Sequence, residues 1–211
     1  MSAQLAEGFL ITVEIFVLTL YSSLPLGLIV AFGRMSGCKV IRIISENLHI
    51  HHERNPSDAA DHRGVFRTLL CVPHARGNGV SFPGGDRGIV INYAAYFAEI
   101  YRGGIESMPV GQYEAAQVLG YSKAQTFVKI ILPQVVKRVL PPVTNETITL
   151  VKDTSMAFTI SIAEMFTVAK QIGAAQTSVV PLLAAGVFYY IFNLVVASFM
   201  EYLEKKTSYY R

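Results

Sequence analysis

Five residues set ionisable or amide side chains inside otherwise apolar stretches: Asn92, Glu99, Lys152, Asp153 and Glu164. Removing such groups from water is costly, so each must either pair with a neighbour or meet a polar ligand. Lys152 and Asp153 set a basic and an acidic group side by side. Thr154 and Ser155 follow, with hydroxyls that compete for backbone hydrogen bonds and can interrupt a helix locally. A plainer reading stands beside this one. Lys152 and Asp153 can lie near a helix end, and Glu99 can reach Arg102 three residues on. Glu14, alone in the apolar run 9–32, reads as an interhelical polar contact.

A second constellation is GGIESMPVGQYEAAQVLGYSKAQTFVKIILPQ, residues 103–134. It reads as two short helices joined by Gly120, which can take the left-handed conformation that ends the first. Tyr113, Ala116, Val118 and Leu119 lie on that first helix. Ser122 and Gln125 have the spacing of a capping box for the second. Phe127, Ile130 and Ile131 form its apolar face, and Pro133 is expected to stop it. Ala115 and Ala116 permit close approach by another surface. Glu114 is placed to meet a basic group or a helix N-terminus.

A third cluster, HIHHE at 49–53, gathers His49, His51, His52 and Glu53. Adjacent His51 and His52 would diverge on a helix, and no second ligand cluster follows at a zinc-like spacing. No metal site is therefore expected. Cys38 and Cys71 have neither C-x-x-C spacing nor enough partners for a disulfide framework. No G-x-x-x-x-G-K-[ST] phosphate loop is present, so the chain is not expected to bind ATP, and no catalytic residues are expected.

The elements that must hold these groups are strongly apolar. Of 211 residues, 52% are hydrophobic, mean hydropathy is +0.39 and only 16% are charged. Soluble domains carry nearer about a quarter charged. A net charge of +3 gives no footprint for nucleic-acid binding. An integral membrane protein fits.

The run 9–32 rises about 36 Å as a helix, enough to cross a bilayer. Arg34, Lys39 and Arg42 follow it, which puts that end in the cytoplasm and the N-terminus outside. A cleaved signal peptide is not expected, because no basic region precedes the apolar run. A second span covers 179–203, with Lys205, Lys206 and Arg211 on a cytoplasmic C-terminal side. The region 140–172 reads as one further span facing a bundle interior. Ile89–Tyr101 is helical and apolar but shorter than the about 20 residues a crossing needs. It reads as the remainder of a span over 89–105. The segment 106–138 is too polar to cross and lies on the cytoplasmic side beside Arg102, Lys123, Lys129, Lys137 and Arg138.

The segment 46–88 fits none of this. It holds all five His and 10 of the 33 Asp, Glu, Lys and Arg residues, without helical or strand period. A long loop, a metal site and an out-of-frame translation compete for it. Back-translating ENLHIHHERNPSDAADHRGV and moving the frame forward one base permits KIYISIMRGTPLMLQIIAV, an apolar string of membrane type. A slip near Ser45 with a restoring slip near Gly88 is the reading this favours.

EAA at 114–116, followed by Gly120 and by Ile131-Leu132-Pro133, resembles the EAA loop of permease subunits of bacterial ABC importers. NYAAYFAEIYRGGIESMPVGQYEAAQVLG and LVKDTSMAFTISIAEM are similar to the polar amino acid (His/Gln/Arg/Glu-type) permease family. The likeness covers residues 8–45 and 89–211, and the shifted string's R-G-T-P-L extends it. EAA alone is common; with Gly120, the ILP end and flanking spans it is specific.

This resemblance implies an all-α integral membrane protein, a helix bundle with five transmembrane helices and the loop between the third and fourth. The second helix and the start of the third are lost in the chain as written. It implies a subunit that moves a polar amino acid across the bacterial cytoplasmic membrane by alternating access. Its expected partners are an ATP-binding-cassette ATPase carrying the ATP and magnesium, a second permease subunit and an extracytoplasmic solute-binding protein. The ATPase would dock on Glu114, Ala115, Ala116, Gly120, Ile131, Leu132 and Pro133. Asn92, Glu99, Lys152, Asp153, Thr154, Ser155 and Glu164 are the candidates for the substrate pathway.

Overall fold

The computed structural model describes residues 2–35, 85–155 and 163–207. Every regular element among them is helical. Helix α1 (Ser2–Met35) and α2 (Gly85–Glu106) lead to a short α3 (Val110–Val118) and a single turn, α4 (Lys123–Thr126). A π-helical turn, Phe127–Ile131, runs straight into α5 (Leu132–Asp153). The chain ends with α6 (Met165–Gln176) and α7 (Val180–Thr207). The segment 36–84, which holds HIHHE and most of the anomalous stretch, lies outside the described residues.

Helices α1 and α7 are long and apolar enough to cross a bilayer. Leu10, Val17 and Ile29 on α1, and Leu183, Val187 and Val195 on α7, are exposed, as lipid-facing side chains would be. α1 packs most extensively along α2. That contact needs Gly27, because a Cβ there would lie 2.8 Å from Phe97 Cβ and 2.9 Å from the Ala94 carbonyl oxygen. Near its other end α1 meets α6 through Gly8, where a Cβ would lie 2.9 Å from Met165 Cα.

Ile15, Phe16, Tyr93, Phe97, Leu150, Val196 and Met200 form one buried cluster joining α1, α2, α5 and α7. A second, of Ile105, Met108, Ile131, Val135 and Val139, closes the end of α2 against the start of α5. A third, of Leu5, Met165, Ala169 and Ala185, ties α6 to α1 and α7.

Three expectations change. The short run at Ile89 belongs to a 22-residue helix, because α2 begins at Gly85, before the apolar residues start. The region 140–172 is not one helix. α5 ends at Asp153 and α6 begins at Met165. Pro133 does not stop a helix either. It sits in the first turn of α5, where its missing N–H costs little. The preceding turn has widened: Leu132 N–H donates to the Phe127 carbonyl five residues back.

Candidate functional site

The segment between α2 and α5 is an elbow built by local rules. α3 ends in a Schellman motif: Gly120 N–H donates to Gln117 O at 3.0 Å, and Tyr121 N–H to Ala116 O at 3.0 Å. This requires positive φ at Gly120, which has φ 79°. Ser122 and Gln125 then form the expected capping box. Gln125 N–H donates to Ser122 Oγ at 3.3 Å, and Ser122 N–H to Gln125 Oε1 at 3.0 Å. Lys129 Nζ lies 5.9 Å from the Tyr121 ring centre.

The elbow has an inner and an outer side. Ala116 and Ile131 are buried beneath it. Glu114, Ala115, Gly120 and Pro133 are exposed, and Leu132 is at its rim. Val118 is 88% exposed and Leu119 73%, so an apolar tip faces outward beside Glu114. An apolar tip with a carboxylate one turn away is a surface a protein partner can grip.

The polar residues set in apolar stretches separate into different roles. Glu99 accepts from Arg34 at the end of α1 and from Arg102 Nη2 at 2.6 Å. Arg102 also reaches Glu106 at 2.7 Å. Phe32 and Phe127 are in ring contact, so this charged knot lies at the elbow's end of the bundle. Lys152 and Asp153 diverge: Lys152 is exposed, while Asp153 is half-buried and accepts from the Tyr93 hydroxyl at 2.6 Å. Thr154 and Ser155 turn their hydroxyls back on the Val151 and Lys152 carbonyls at 2.8 and 2.7 Å, at the end of α5. Asn92 is half-buried beside Tyr93. Glu14, expected between helices, is exposed, because the packed side of α1 runs through Thr12, Ile15 and Phe16 instead.

Glu164 is fully buried and caps α6. Its carboxylate accepts from Phe166 N–H at 2.7 Å, Thr167 N–H at 2.8 Å and Thr167 Oγ1 at 2.8 Å. It also accepts from the Tyr189 hydroxyl of α7 at 2.8 Å. Met165 N–H donates to Thr12 Oγ1 of α1 at 3.3 Å, and Thr12 donates on to the Gly8 carbonyl. Three helices meet there through polar atoms.

Sequence reading missed Tyr93, Tyr189 and Thr12, because each finds its partner tens of residues away. Among the described residues no group of three or more His, Cys, Asp or Glu is placed to hold a metal. The HIHHE cluster is outside them.

Residues 88–209 match the family described as binding-protein-dependent transport system inner membrane component. The chain belongs to that family. As an inner membrane component it is an ABC-transporter permease, all-α and membrane-embedded. It is 42% identical to the octopine transport system permease protein OccM of Rhizobium radiobacter, over 55% of this chain and 48% of that protein. It is 32% identical to the inner membrane amino-acid ABC transporter permease protein YhdY of Escherichia coli, over 94% of this chain and 55% of that one. The chain thus spans about half the length of these two relatives. A crystal structure of an amino acid ABC transporter with histidines matches this permease with a TM-score of 0.81 at 25% identity, over 97% of this chain and 94% of the other.

Proposed function

We propose that this permease is the membrane-spanning subunit of an ATP-driven importer of polar amino acids. The observation that carries the reading is the elbow: an exposed apolar tip and carboxylate on α3, fixed by a Schellman turn and capping box, in a chain of this family. Relatives named for octopine and amino-acid transport support the substrate class.

A separate ATPase carries ATP and magnesium and docks on Glu114, Ala115, Gly120, Leu132 and Pro133. Ala116 and Ile131 hold that surface from beneath. A solute-binding protein delivers substrate outside, and a second permease subunit completes the pathway. The N-terminus faces outward and the C-terminus the cytoplasm, since Lys205 and Lys206 follow the last span. Nucleotide-driven movement of the ATPases reaches α2 and α5 through the elbow and opens the bundle inward by alternating access. Asp153, held by Tyr93 where α2 meets α5, is the residue we place on the substrate path, with Asn92, Lys152, Thr154 and Ser155 around it. Glu99 and Glu164 hold helices together rather than touch substrate.

The composition of 46–88 favours a second reading, a frame-shifted permease remnant that does not transport. Uptake of labelled polar amino acids in cells carrying the chain as written, beside one with the frame restored across 46–88, separates the two. Uptake by both supports the importer reading for this chain. Uptake by the restored chain alone supports the remnant, and uptake by neither removes the amino acid assignment. Stoichiometric zinc or copper on the purified protein would instead point to His49, His51, His52 and Glu53.

A further inference from the structure

We infer that Gln112 and Gln134 form an amide clasp that makes α3 and α5 move as one body, so that a push on the elbow reaches the membrane-spanning helices. This rests on the transport reading above.

The two side chains are reciprocally bonded. Gln112 Nε2 donates to Gln134 Oε1 at 2.9 Å, and Gln134 Nε2 donates to Gln112 Oε1 at 2.7 Å. Gln134 Nε2 also donates to the Ile130 carbonyl at 2.8 Å, closing the last turn before α5 from the side-chain side. Both residues are partly buried, and the link is neutral, so added salt does not screen it.

Its place in the chain gives it a mechanical role. Along the backbone, α3 reaches α5 only through Gly120 in its left-handed turn and the π turn Phe127–Ile131. These are the irregular points of the elbow. A π turn has an altered hydrogen-bond register, and Pro133 just beyond it supplies no N–H to the Lys129 carbonyl. Sharp kinks in helices concentrate at such turns. The clasp bypasses both, joining the third residue of α3 to the third residue of α5. Two further contacts make the unit stiff. Arg138 Nη1 donates to the Ser107 carbonyl at 2.6 Å, tying α5 to the α2–α3 junction. The apolar cluster of Ile105, Met108, Ile131, Val135 and Val139 fills the space beneath. Gln112 and Gln134 are positioning residues: they touch neither substrate nor nucleotide in this account.

The test uses the full complex, permease with ATPase and solute-binding protein, in proteoliposomes. Gln112→Leu, Gln134→Leu and the double variant are compared by amino acid moved per ATP hydrolysed. The clasp predicts a fall of about tenfold in that ratio, the size of an ordinary coupling between sites, with ATP hydrolysis retained. The double variant should be no worse than either single, as for two partners in one bond. An unchanged ratio in the leucine variants overturns the inference. If those variants do not assemble, the ratio is read on the double variant Gln112→Glu with Gln134→Glu, which keeps both side-chain shapes and leaves no donor in the clasp; there too an unchanged ratio overturns it. Amide exchange across Val110–Val118 is followed in the same samples and does not depend on transport. Loss of the clasp should quicken it about tenfold, and unchanged exchange overturns the inference. A wild-type complex that hydrolyses ATP but moves no amino acid would count against the transport reading instead.

Discussion

Replacing Glu164 with alanine should destabilise the end of the bundle where α1, α6 and α7 meet before it changes any substrate contact. Four donors lose the Glu164 carboxylate at once: Phe166 N–H, Thr167 N–H, Thr167 Oγ1 and the Tyr189 hydroxyl. The two backbone donors are the orphans at the start of α6, and losing a cap costs about 1 kcal/mol. The Tyr189 hydroxyl is left in a bundle interior without its carboxylate, at about 2 kcal/mol. Together these give about 3 kcal/mol, roughly a hundredfold in the folding equilibrium. For a chain of this size that lowers the unfolding midpoint by about 9 °C. Thermal unfolding of the purified variant in detergent reads the shift. Glu164→Gln retains a carbonyl oxygen for the α6 N–H groups, and about 1 kcal/mol should separate it from the native chain. Unfolding of Glu164→Ala at the native midpoint, with amino acid uptake lost, would refute this role. Glu164 would then be a substrate contact and its cap incidental.

Gly104→Ala would set a Cβ 2.2 Å from Val139 Cγ1, so it should force α2 from α5 and lower thermal stability, and adding Val139→Ala should recover most of the loss. Gly120→Ala meets no atom within 4 Å, so its cost is the left-handed backbone alone, about 1 kcal/mol by thermal unfolding. Glu99→Ala should destabilise more than Arg34→Ala, since it leaves Arg34 and Arg102 facing each other while the arginine variant keeps the Glu99–Arg102 pair. Equal midpoints for those two variants would overturn that order, and midpoints equal to the native one in both would show that the knot contributes nothing.

What the sequence carried was local. The long apolar runs, the left-handed Gly120 and the Ser122–Gln125 capping box are set by residues within one turn of each other, and the structure has them all. So is the interruption near Thr154 and Ser155. Pro133 misleads as a stop, because the same ring that ends one helix also fits the first turn of another, and here the π turn before it runs straight into α5. The length of α2 was hidden because its first turn, from Gly85, is not apolar. The roles of the buried acids could not be read from spacing. Glu99 finds Arg34 across 65 residues, Asp153 finds Tyr93 across 60, and Glu164 finds Tyr189 across 25. An acid in an apolar run announces that something must satisfy it, without naming what. Gln112 and Gln134 gave less signal still, since glutamines on short polar helices are ordinary surface residues until the fold brings two together.

On the proposed reading, the elbow passes the work of a separate ATPase to a bundle that moves amino acids. Reconstituting the permease with its ATPase and solute-binding protein, and measuring labelled amino acid uptake with Val118 and Leu119 intact or both changed to Asp, tests it most directly. Uptake that needs MgATP in the native complex, and is lost together with ATPase binding in the variant, is the predicted result. Uptake that proceeds without ATP, or survives loss of the apolar tip, would contradict it.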